Sequence, residues 1–293
     1  MKKSLFCNLF LAPAFILYTG FIVLSIAFSI YYSTLNWSGF GEGIFAGFDN
    51  FIDLFQDQNF WQCATNTTIF VIVAVVAQNI VGLFLAYMIS QIKIGYKFFR
   101  AALFVPVVIT AVAVASMFML IFSVNGPLNY LLNILGLQNV TKAWLSDPNT
   151  VLGCVIFSET FQYIGLYFIM ILTGMLSLPG DVIESAKIDG ANRLQVLFRI
   201  MVPMLSEVMQ VSVLYALINA LKSFVHPWVM TNGGPGYTSS YISIFMYMKL
   251  FQDYKYGFGS AVAVVVLLVL LIILIIFKSF FNARENSNRK VPA

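Results

Sequence analysis

A few polar side chains interrupt long apolar stretches of this chain, and their types are those that bind a hydroxyl-rich ligand. Charged and amide groups are costly to bury, so inside apolar segments they tend to mark a binding site or a pathway. A sugar is held by carboxylate and amide hydrogen bonds together with an aromatic face. The candidates are Glu159, Gln162, Asn219, Lys222 and Ser223, with Phe161, Tyr163 and Phe224 close to them in sequence.

The same side chains also have a structural interpretation. Polar residues on neighbouring helices form hydrogen bonds with each other, and Glu159 with Lys222 would form an ion pair. Residue types alone leave open whether Glu159 contacts a ligand or Lys222. For Gln78 and Asn79, in a different apolar stretch, we favour hydrogen bonds between helices over ligand binding.

The elements that hold these residues are predicted to be membrane-spanning helices. Of the 293 residues, 60% are hydrophobic and 10% charged, and the mean hydropathy is +0.88, whereas about a quarter of the residues in a soluble domain are charged. A helix needs roughly 20 apolar residues to cross a bilayer. Six windows fit, at residues 11–33, 67–90, 101–123, 151–174, 205–224 and 259–280. We therefore predict an all-α membrane protein with a single domain.

The distribution of Lys and Arg predicts the orientation of these helices, because cytoplasmic loops collect positive charge. Twelve of the sixteen Lys and Arg residues lie at the N-terminus, in residues 91–100 and 176–204, and in the tail from Lys278. Both termini are therefore predicted to be cytoplasmic. The first window is too long for the apolar core of a cleaved signal peptide, and no clear A-x-A site follows it. The net charge of +4 comes with no basic patch, so nothing supports nucleic-acid binding.

The sequence contains no signature of ATP hydrolysis or metal catalysis. It has no GxxxxGK(S/T) phosphate loop and no HExxH motif, and its single histidine, His226, has no ligand partner nearby in the sequence. The three cysteines, Cys7, Cys63 and Cys154, show neither CxxC nor metal-like spacing. We predict no metal, no cofactor and no catalytic residue in the chain itself. If the chain takes part in active transport, the energy must come from a partner or from an ion gradient.

The loop before the fifth window is predicted to contain two short helices. Asp181 is suited to begin the first helix, because Glu184 follows three residues later as in a capping box, and Gly190 is suited to end it. The second helix is predicted to start at Asn192 and to run to Pro203. From spacing alone, such a loop is either an ordinary helical connector or a docking surface for another protein.

This loop, residues 176–204, closely resembles the EAA loop of ABC importer permeases, in which E-A-A is followed four residues later by Gly and then by I-x-L-P. The matching residues are Glu184, Ala186, Asp189, Gly190, Ile200 and Pro203, while Ser185 replaces one Ala and Val202 the Leu. Three other stretches resemble the sugar branch of the same family: Gly47-Phe-Asp-Asn-Phe51, Asn66-Thr67 and Thr231-Asn-Gly-Gly-Pro235. The resemblance covers nearly the whole chain.

The resemblance implies a type I ABC importer permease fold, with six transmembrane helices and a cytoplasmic coupling helix in the EAA loop. The implied partners are a homologous second permease, two ATP-binding subunits that hold ATP and Mg²⁺, an extracytoplasmic sugar-binding protein, and the lipid of a bacterial inner membrane. In the family the coupling helix lies in a groove of the ATPase. There the motif Glu forms polar contacts and the Gly allows close packing, roles that fall here on Glu184 and Gly190, with Ala186 and Asp189 in the same motif.

The resemblance also implies a substrate site. Counting outward from Pro179 and from Thr231 places five residues at positions where the family contacts sugar: Glu159, Gln162, Tyr163, Asn219 and Ser223. Most of these residue types differ from those of the maltose permease, so maltose is not expected to bind in the same way. Glu159 favours a neutral or cationic ligand, whereas Lys222 is equally suited to an acidic sugar.

Two other functions remain open at this point. A glycerol-3-phosphate permease of the same family would need more cationic groups than Lys222 alone. An ion-coupled secondary transporter would use Glu159 as a proton or sodium site, but it does not account for the EAA loop. The sequence does not name the sugar or the partner chains.

Overall fold

The structure, a computed structural model, describes residues 11–92 and 94–288, and side chains as far as residue 279. The regular structure of these residues is helical, apart from a small antiparallel hairpin in which β1 (Leu35–Asn36) pairs with β2 (Ile44–Phe45) and a 3₁₀ turn (Gln138–Val140). The helices are α1 (Leu11–Ser33), α2 (Asp49–Gln56), α3 (Gln58–Ser90), α4 (Tyr96–Val108), α5 (Ala111–Ile121), α6 (Pro127–Ile134), α7 (Val151–Leu176), α8 (Gly180–Ile188), α9 (Arg193–Met204), α10 (Ser206–Leu221), α11 (Val225–Thr231), α12 (Ile242–Tyr247) and α13 (Tyr256–Asn288).

Four of the described helices are long and apolar enough to cross a membrane: α1, α3, α7 and the part of α13 from Tyr256 to Ser279. Two further candidates are bent pairs, α4 with α5 at 92° and α9 with α10 at 76°, which brings the number to six if each pair is one span. The predicted windows 11–33, 67–90, 151–174 and 259–280 each lie within a single helix. The window 205–224 contains α10, whose 16 residues are too few to cross a bilayer alone.

The predicted continuous helix over residues 101–123 is wrong, because its own residues break it at Ile109 and Thr110. Pro106 lies in the last turn of α4, where it donates no backbone hydrogen bond. Ile109 is then extended, with φ −70° and ψ 142°. Thr110 caps α5, since its hydroxyl accepts from the amide of Ala113 at 3.4 Å. A hydropathy window counts apolar residues and does not register such a cap.

The described chain divides into two compact units, of which residues 62–243 form one. Two apolar clusters are buried in it. The first joins α3, α5, α7 and α11 through residues that include Phe70, Phe118, Val155 and Met230. The second joins α3, α7 and α9 through residues that include Ala86, Ile171 and Leu197. In a bilayer such contacts are held by close packing, because lipid tails are as apolar as the side chains.

The other unit combines segments before residue 62 and after residue 243. Asn50 of α2 is buried, and its Nδ2 donates to the carbonyls of Ser33 and Leu35, both at 2.9 Å. Gly257 of α13 touches the same strand, since a Cβ there would lie 1.8 Å from the carbonyl oxygen of Leu35. The Asn50 amide thus connects α2 to α1 and β1, and the absence of a side chain at Gly257 lets α13 pack closely against β1.

Gly165 lets α7 and α4 approach each other at backbone distance, because a Cβ there would lie 2.1 Å from the carbonyl oxygen of Leu103. Gly165→Ala should therefore destabilise the protein by about 1–3 kcal/mol, the usual cost of overpacking. Gly153→Ala in the same helix is the matched control, since no described atom lies within 4 Å of its Cβ position. Thermal unfolding in detergent measures both variants, and equal melting temperatures would contradict this packing.

Candidate functional site

A cavity of about 380 Å³ lies within the 62–243 unit, enclosed by α3, α7, α10 and the first residues of α5 and α11. Four of the five predicted ligand residues line it. Glu159 and Tyr163 reach it from α7, Asn219 from α10, and Ser223 from the turn after α10. Glu159 and Tyr163 share one face of α7 because they are four residues apart. The fold therefore brings together side chains that are separated by about sixty positions in the sequence.

The rest of the cavity wall combines aromatic rings with polar groups. Its further members include Phe70, Gln78, Tyr167, Tyr215, Lys222, Phe224 and His226. The rings offer apolar faces, and the amide, ammonium and hydroxyl groups offer hydrogen bonds. The volume is near the lower end of the roughly 300–1,000 Å³ that is usual for small-molecule sites. The cavity therefore suits a compact polar ligand.

Glu159 and Ser223 each have a buried side-chain oxygen in the cavity wall that makes no hydrogen bond of normal geometry in the described structure. Both side chains are buried, with exposures of 6% and 7%. Within the described part of the chain, neither Glu159 Oε2 nor Ser223 Oγ makes a hydrogen bond of normal geometry. Leaving a buried polar group without a partner costs about 1–3 kcal/mol, and more for a charged group. These two atoms are therefore available to a ligand.

The alternative pairing of Glu159 with Lys222 is not formed in the structure. Among the described residues, the ion pairs are Lys142 with Asp147 at 3.3 Å and Lys249 with Asp253 at 3.0 Å. Lys222 lines the cavity and is exposed, whereas Glu159 is buried. The carboxyl group thus faces the cavity with no cation held against it in the part of the chain that is described.

Gln162, the fifth predicted ligand residue, is buried outside the cavity wall. Its Nε2 donates to the carbonyl of Ile109 at 3.0 Å, and its Oε1 lies 2.6 Å from Nε2 of His226. The other ring nitrogen of His226, Nδ1, lies 2.8 Å from Ser158 Oγ. An amide oxygen can only accept, so the network assigns the proton of the neutral ring to Nε2, and Nδ1 accepts from the hydroxyl. Gln162 thus belongs to a buried network between helices.

His226 is one of the wall residues that sequence reasoning misses, together with Phe70, Tyr167 and Tyr215. Its partner Gln162 precedes it by 64 residues, so no local pattern marks the contact. The structural interpretation of Gln78 is incomplete, because this residue also lines the cavity. Asn79 agrees with the structural interpretation, since its Oδ1 accepts from Ser212 Oγ at 2.6 Å.

The 176–204 loop forms the two expected helices, but the first begins differently. α8 starts at Gly180 after an N-cap at Pro179, and Asp181 makes no capping hydrogen bond, so the capping box predicted there is wrong. Because the helix starts earlier, the Asp181 carboxylate lies in the first turn, where the helix dipole still favours a negative charge. A capping box does begin α9, as Asn192 and Gln195 exchange hydrogen bonds of 2.9 and 2.7 Å.

Gly190 ends α8 as predicted. Its φ of +85° is in the left-handed region, which glycine adopts without steric cost. The amide of Gly190 donates to Lys187 O at 3.2 Å, and the amide of Ala191 donates to Ala186 O at 3.0 Å. These are the two bonds of a Schellman motif, which satisfies the last carbonyls of the helix.

The loop exposes apolar side chains beside the motif residues. Glu184, Asp189 and Gly190 are exposed and Ala186 is half-buried. Nearby, Ile188 exposes 81% of its surface. Large apolar groups exposed together with charged ones are typical of a surface that contacts another protein. The loop geometry therefore favours docking over a simple connector, and the roles of the motif residues stay predictions.

Comparison with known sequences identifies similar proteins over most of the chain. Residues 78–286 match the sequence model of the family described as binding-protein-dependent transport system inner membrane component. The probable ABC transporter permease protein YurN of Bacillus subtilis (strain 168) is 34% identical over 259 residues, which cover 87% of this chain and 88% of that protein. The lactose transport system permease protein LacF of Rhizobium radiobacter is 30% identical over 281 residues, which cover 94% of this chain and 93% of that protein.

The fold is similar to that of a solved membrane protein. A chain of a bacterial ABC transporter involved in the import of the acidic polysaccharide alginate superposes with a TM-score of 0.84, covering 99% of this chain and 98% of its own. The sequences are 23% identical. At that level the likeness is evidence for the fold alone.

Proposed function

The chain belongs to the family of binding-protein-dependent transport system inner membrane components, and on that premise we propose that it is one membrane subunit of an ATP-driven sugar importer. The cavity carries the proposal. In the described structure, buried oxygens of Glu159 and Ser223 lie near each other, make no hydrogen bond of normal geometry with the protein, and share the wall with tyrosine and phenylalanine rings. Such groups bind the hydroxyls and the apolar face of a sugar ring. The similarity to a lactose permease supports a sugar as the substrate.

Among sugars, the cavity favours a neutral or amino-bearing ligand over an acidic one. The buried Glu159 carboxyl group, with no cation held against it in the described structure, gives no favourable electrostatic contact to the carboxylate of a uronic acid or to a phosphate group. Lys222 is the cation in the cavity wall, and a phosphate is usually held by several cations or by a bidentate arginine. The cavity therefore does not favour glycerol-3-phosphate as substrate. An ion-coupled transporter is not favoured either, because the family description names a binding protein.

We infer the rest of the complex from the family. It comprises a homologous second permease, two ATP-binding subunits that hold ATP and Mg²⁺, and an extracytoplasmic sugar-binding protein, assembled in a bacterial inner membrane. The fold proposed is the type I permease with six spans, in which α4 and α5 together form the third and the window 205–224, which contains α10, forms part of the fifth. Helix α8 is the proposed coupling helix, with Glu184, Ala186, Asp189 and Gly190 facing the ATPase.

Both termini are proposed to be cytoplasmic, because most Lys and Arg residues fall on that side of the predicted spans. In a background without native cysteines, an impermeant thiol reagent applied to intact cells should label Val140→Cys and leave Glu285→Cys unlabelled until the cells are permeabilised. Labelling of position 285 but not of position 140 would mean that the orientation is reversed.

Glu159→Ala and Asn219→Ala should weaken substrate binding, because each removes a polar group from the cavity wall. The half-saturating sugar concentration for uptake should rise roughly 10-fold or more for Glu159→Ala, the effect of one lost hydrogen bond to a charged group. Uptake of lactose, maltose and chitobiose is measured in cells that also contain the native partner proteins. Thr173→Ala is the control, since its exposed hydroxyl is on the same helix and bonds locally to Ile169 O. Unchanged uptake in both cavity variants would assign these residues a structural role.

Gly190→Asp should abolish transport by weakening the contact between the loop and the ATPase. Within the described structure, no atom lies within 4 Å of a Cβ at position 190, so an added side chain clashes with the docked ATPase rather than with this chain. The new residue is also strained at a φ of +85°. The subunit should insert in the membrane, bind its ATPase weakly and transport nothing, while Glu184→Lys should be milder, losing about 1–3 kcal/mol of docking energy.

Gly180→Ala is the matched control for position 190. It lies in the same loop, has open space around it in the described structure, and has no positive φ. The measurement is ATP hydrolysis stimulated by sugar-loaded binding protein in reconstituted complexes. Normal stimulation and uptake in Gly190→Asp would refute the coupling role of the loop.

A further inference from the structure

The break between α4 and α5 leaves a carbonyl that a membrane protein must satisfy internally. Ile109 is extended, so its carbonyl oxygen cannot bond along a continuous helix, and a carbonyl exposed by such a break within a bilayer needs a partner in the protein or in a water-filled cavity. Gln162 Nε2 donates to this oxygen at 3.0 Å. The side chain of Gln162 is 1% exposed, and the bond as a whole is part-buried. One amide of α7 thus satisfies the carbonyl at the break.

α7 contacts both halves of the broken span, and α11 contacts the second half. α4 packs on α7 at backbone distance, with Gly165 against Leu103 O. Gln162 and Gly165 are three residues apart, so both lie on the face of α7 that meets α4. α5 packs against α11 and also against α7, and the buried residues Phe118, Val155 and Met230 belong to one cluster. The bend of 92° therefore depends in part on how α7 and α11 are placed relative to each other.

His226 is a direct link between those two holding elements. It belongs to α11, and its ring bonds to α7 twice, through Nε2 to Gln162 Oε1 at 2.6 Å and through Nδ1 to Ser158 Oγ at 2.8 Å. His226 also lines the cavity, and so does Ala111, the first residue of α5. A group that fills the cavity therefore meets both the link and the beginning of the second half of the span.

We propose that Gln162 and His226 are positioning residues that couple occupancy of the cavity to the bend of the α4–α5 span. A ligand shifts a conformational equilibrium only through contacts that differ between the two states. A ligand that contacts His226 can make such a contact. If the ring of His226 moves, its hydrogen bond to Gln162 changes, and with it the bond from Gln162 to the Ile109 carbonyl. This inference rests on the proposed function and assigns Gln162 a role other than the sugar contact predicted from the sequence.

The first test separates positioning from ligand binding by kinetics. Gln162→Met keeps the length of the side chain and removes both hydrogen bonds. It should lower the maximal uptake rate roughly 10-fold, as expected for one lost buried hydrogen bond, and leave the half-saturating concentration of the transported disaccharide nearly unchanged. His226→Gln retains a donor toward position 162 and should keep most of the rate, whereas His226→Leu should behave like Gln162→Met.

Ser212→Ala is the matched control. It removes a buried side-chain hydrogen bond of the same length, 2.6 Å to Asn79 Oδ1, at a place that touches neither the break nor the cavity wall. Any loss from Ser212→Ala should appear in the amount of assembled subunit and not in the rate per subunit. A rate loss per subunit equal to that of Gln162→Met would overturn the proposal. A rise in the half-saturating concentration at unchanged maximal rate would overturn it as well, because Gln162 would then be a sugar ligand.

The second test needs no substrate, so it distinguishes failure of this inference from failure of the proposed function. Spin labels at Val105 and Met117, which are exposed on α4 and α5, report the distance across the break in the assembled complex. The wild type should give one narrow distance distribution, and Gln162→Met a broad one. An identical narrow distribution in both would overturn the positioning role even if sugar uptake is confirmed. A broad one in the variant supports it even if no tested sugar is taken up.

Discussion

No water reaches the hydrocarbon core of a bilayer, so every backbone group that a helix break exposes there must find a partner within the protein. The backbone groups at the two described bends are satisfied differently. At Leu205 the helical bonds continue across the bend, since its amide donates to Met201 O at 2.8 Å and its carbonyl accepts from Met209 at 2.9 Å. At Ile109 the chain is extended, and a side chain from another helix satisfies the carbonyl. The first bend is local, and the second depends on tertiary structure.

The candidate site, the cavity lined by Glu159 and Ser223, lies beside the break at Ile109, because the same helices form both. The residues that satisfy and hold it come from α7 and α11, and these helices also supply much of the cavity wall. Gln162 and His226 satisfy each other, whereas Glu159 and Ser223 are left with unpaired oxygens in the described structure. A buried network that is complete rigidifies a structure, and one that is incomplete is costly unless a ligand completes it. The two sets of polar residues therefore have different roles.

The sequence predicts those features that depend on local pattern. The length of the apolar stretches predicts the helices of the first, second, fourth and sixth windows. The ease with which glycine adopts the left-handed conformation predicts the end of α8 at Gly190. The break at Ile109 is not predicted, because a threonine cap inside an apolar window does not change its hydropathy. The role of Gln162 is not predicted either, because its partners belong to distant segments. Burying a polar side chain in the membrane costs free energy, so the polar residues of apolar segments can be picked out from the sequence as candidates. Only the fold shows which of them face a cavity and which bind each other.

We propose that the substrate is held in the cavity bounded by Glu159, Tyr163, Asn219 and Ser223. The most direct test is a cryo-electron microscopy map of the assembled transporter in lipid nanodiscs, with and without the disaccharide that the cells take up. We expect ligand density in this cavity, within hydrogen-bond distance (about 2.7–3.2 Å) of the Glu159 carboxylate and the Ser223 hydroxyl. Ligand density elsewhere in the subunit, with the cavity empty at saturating sugar, would mean that the substrate is held at another site.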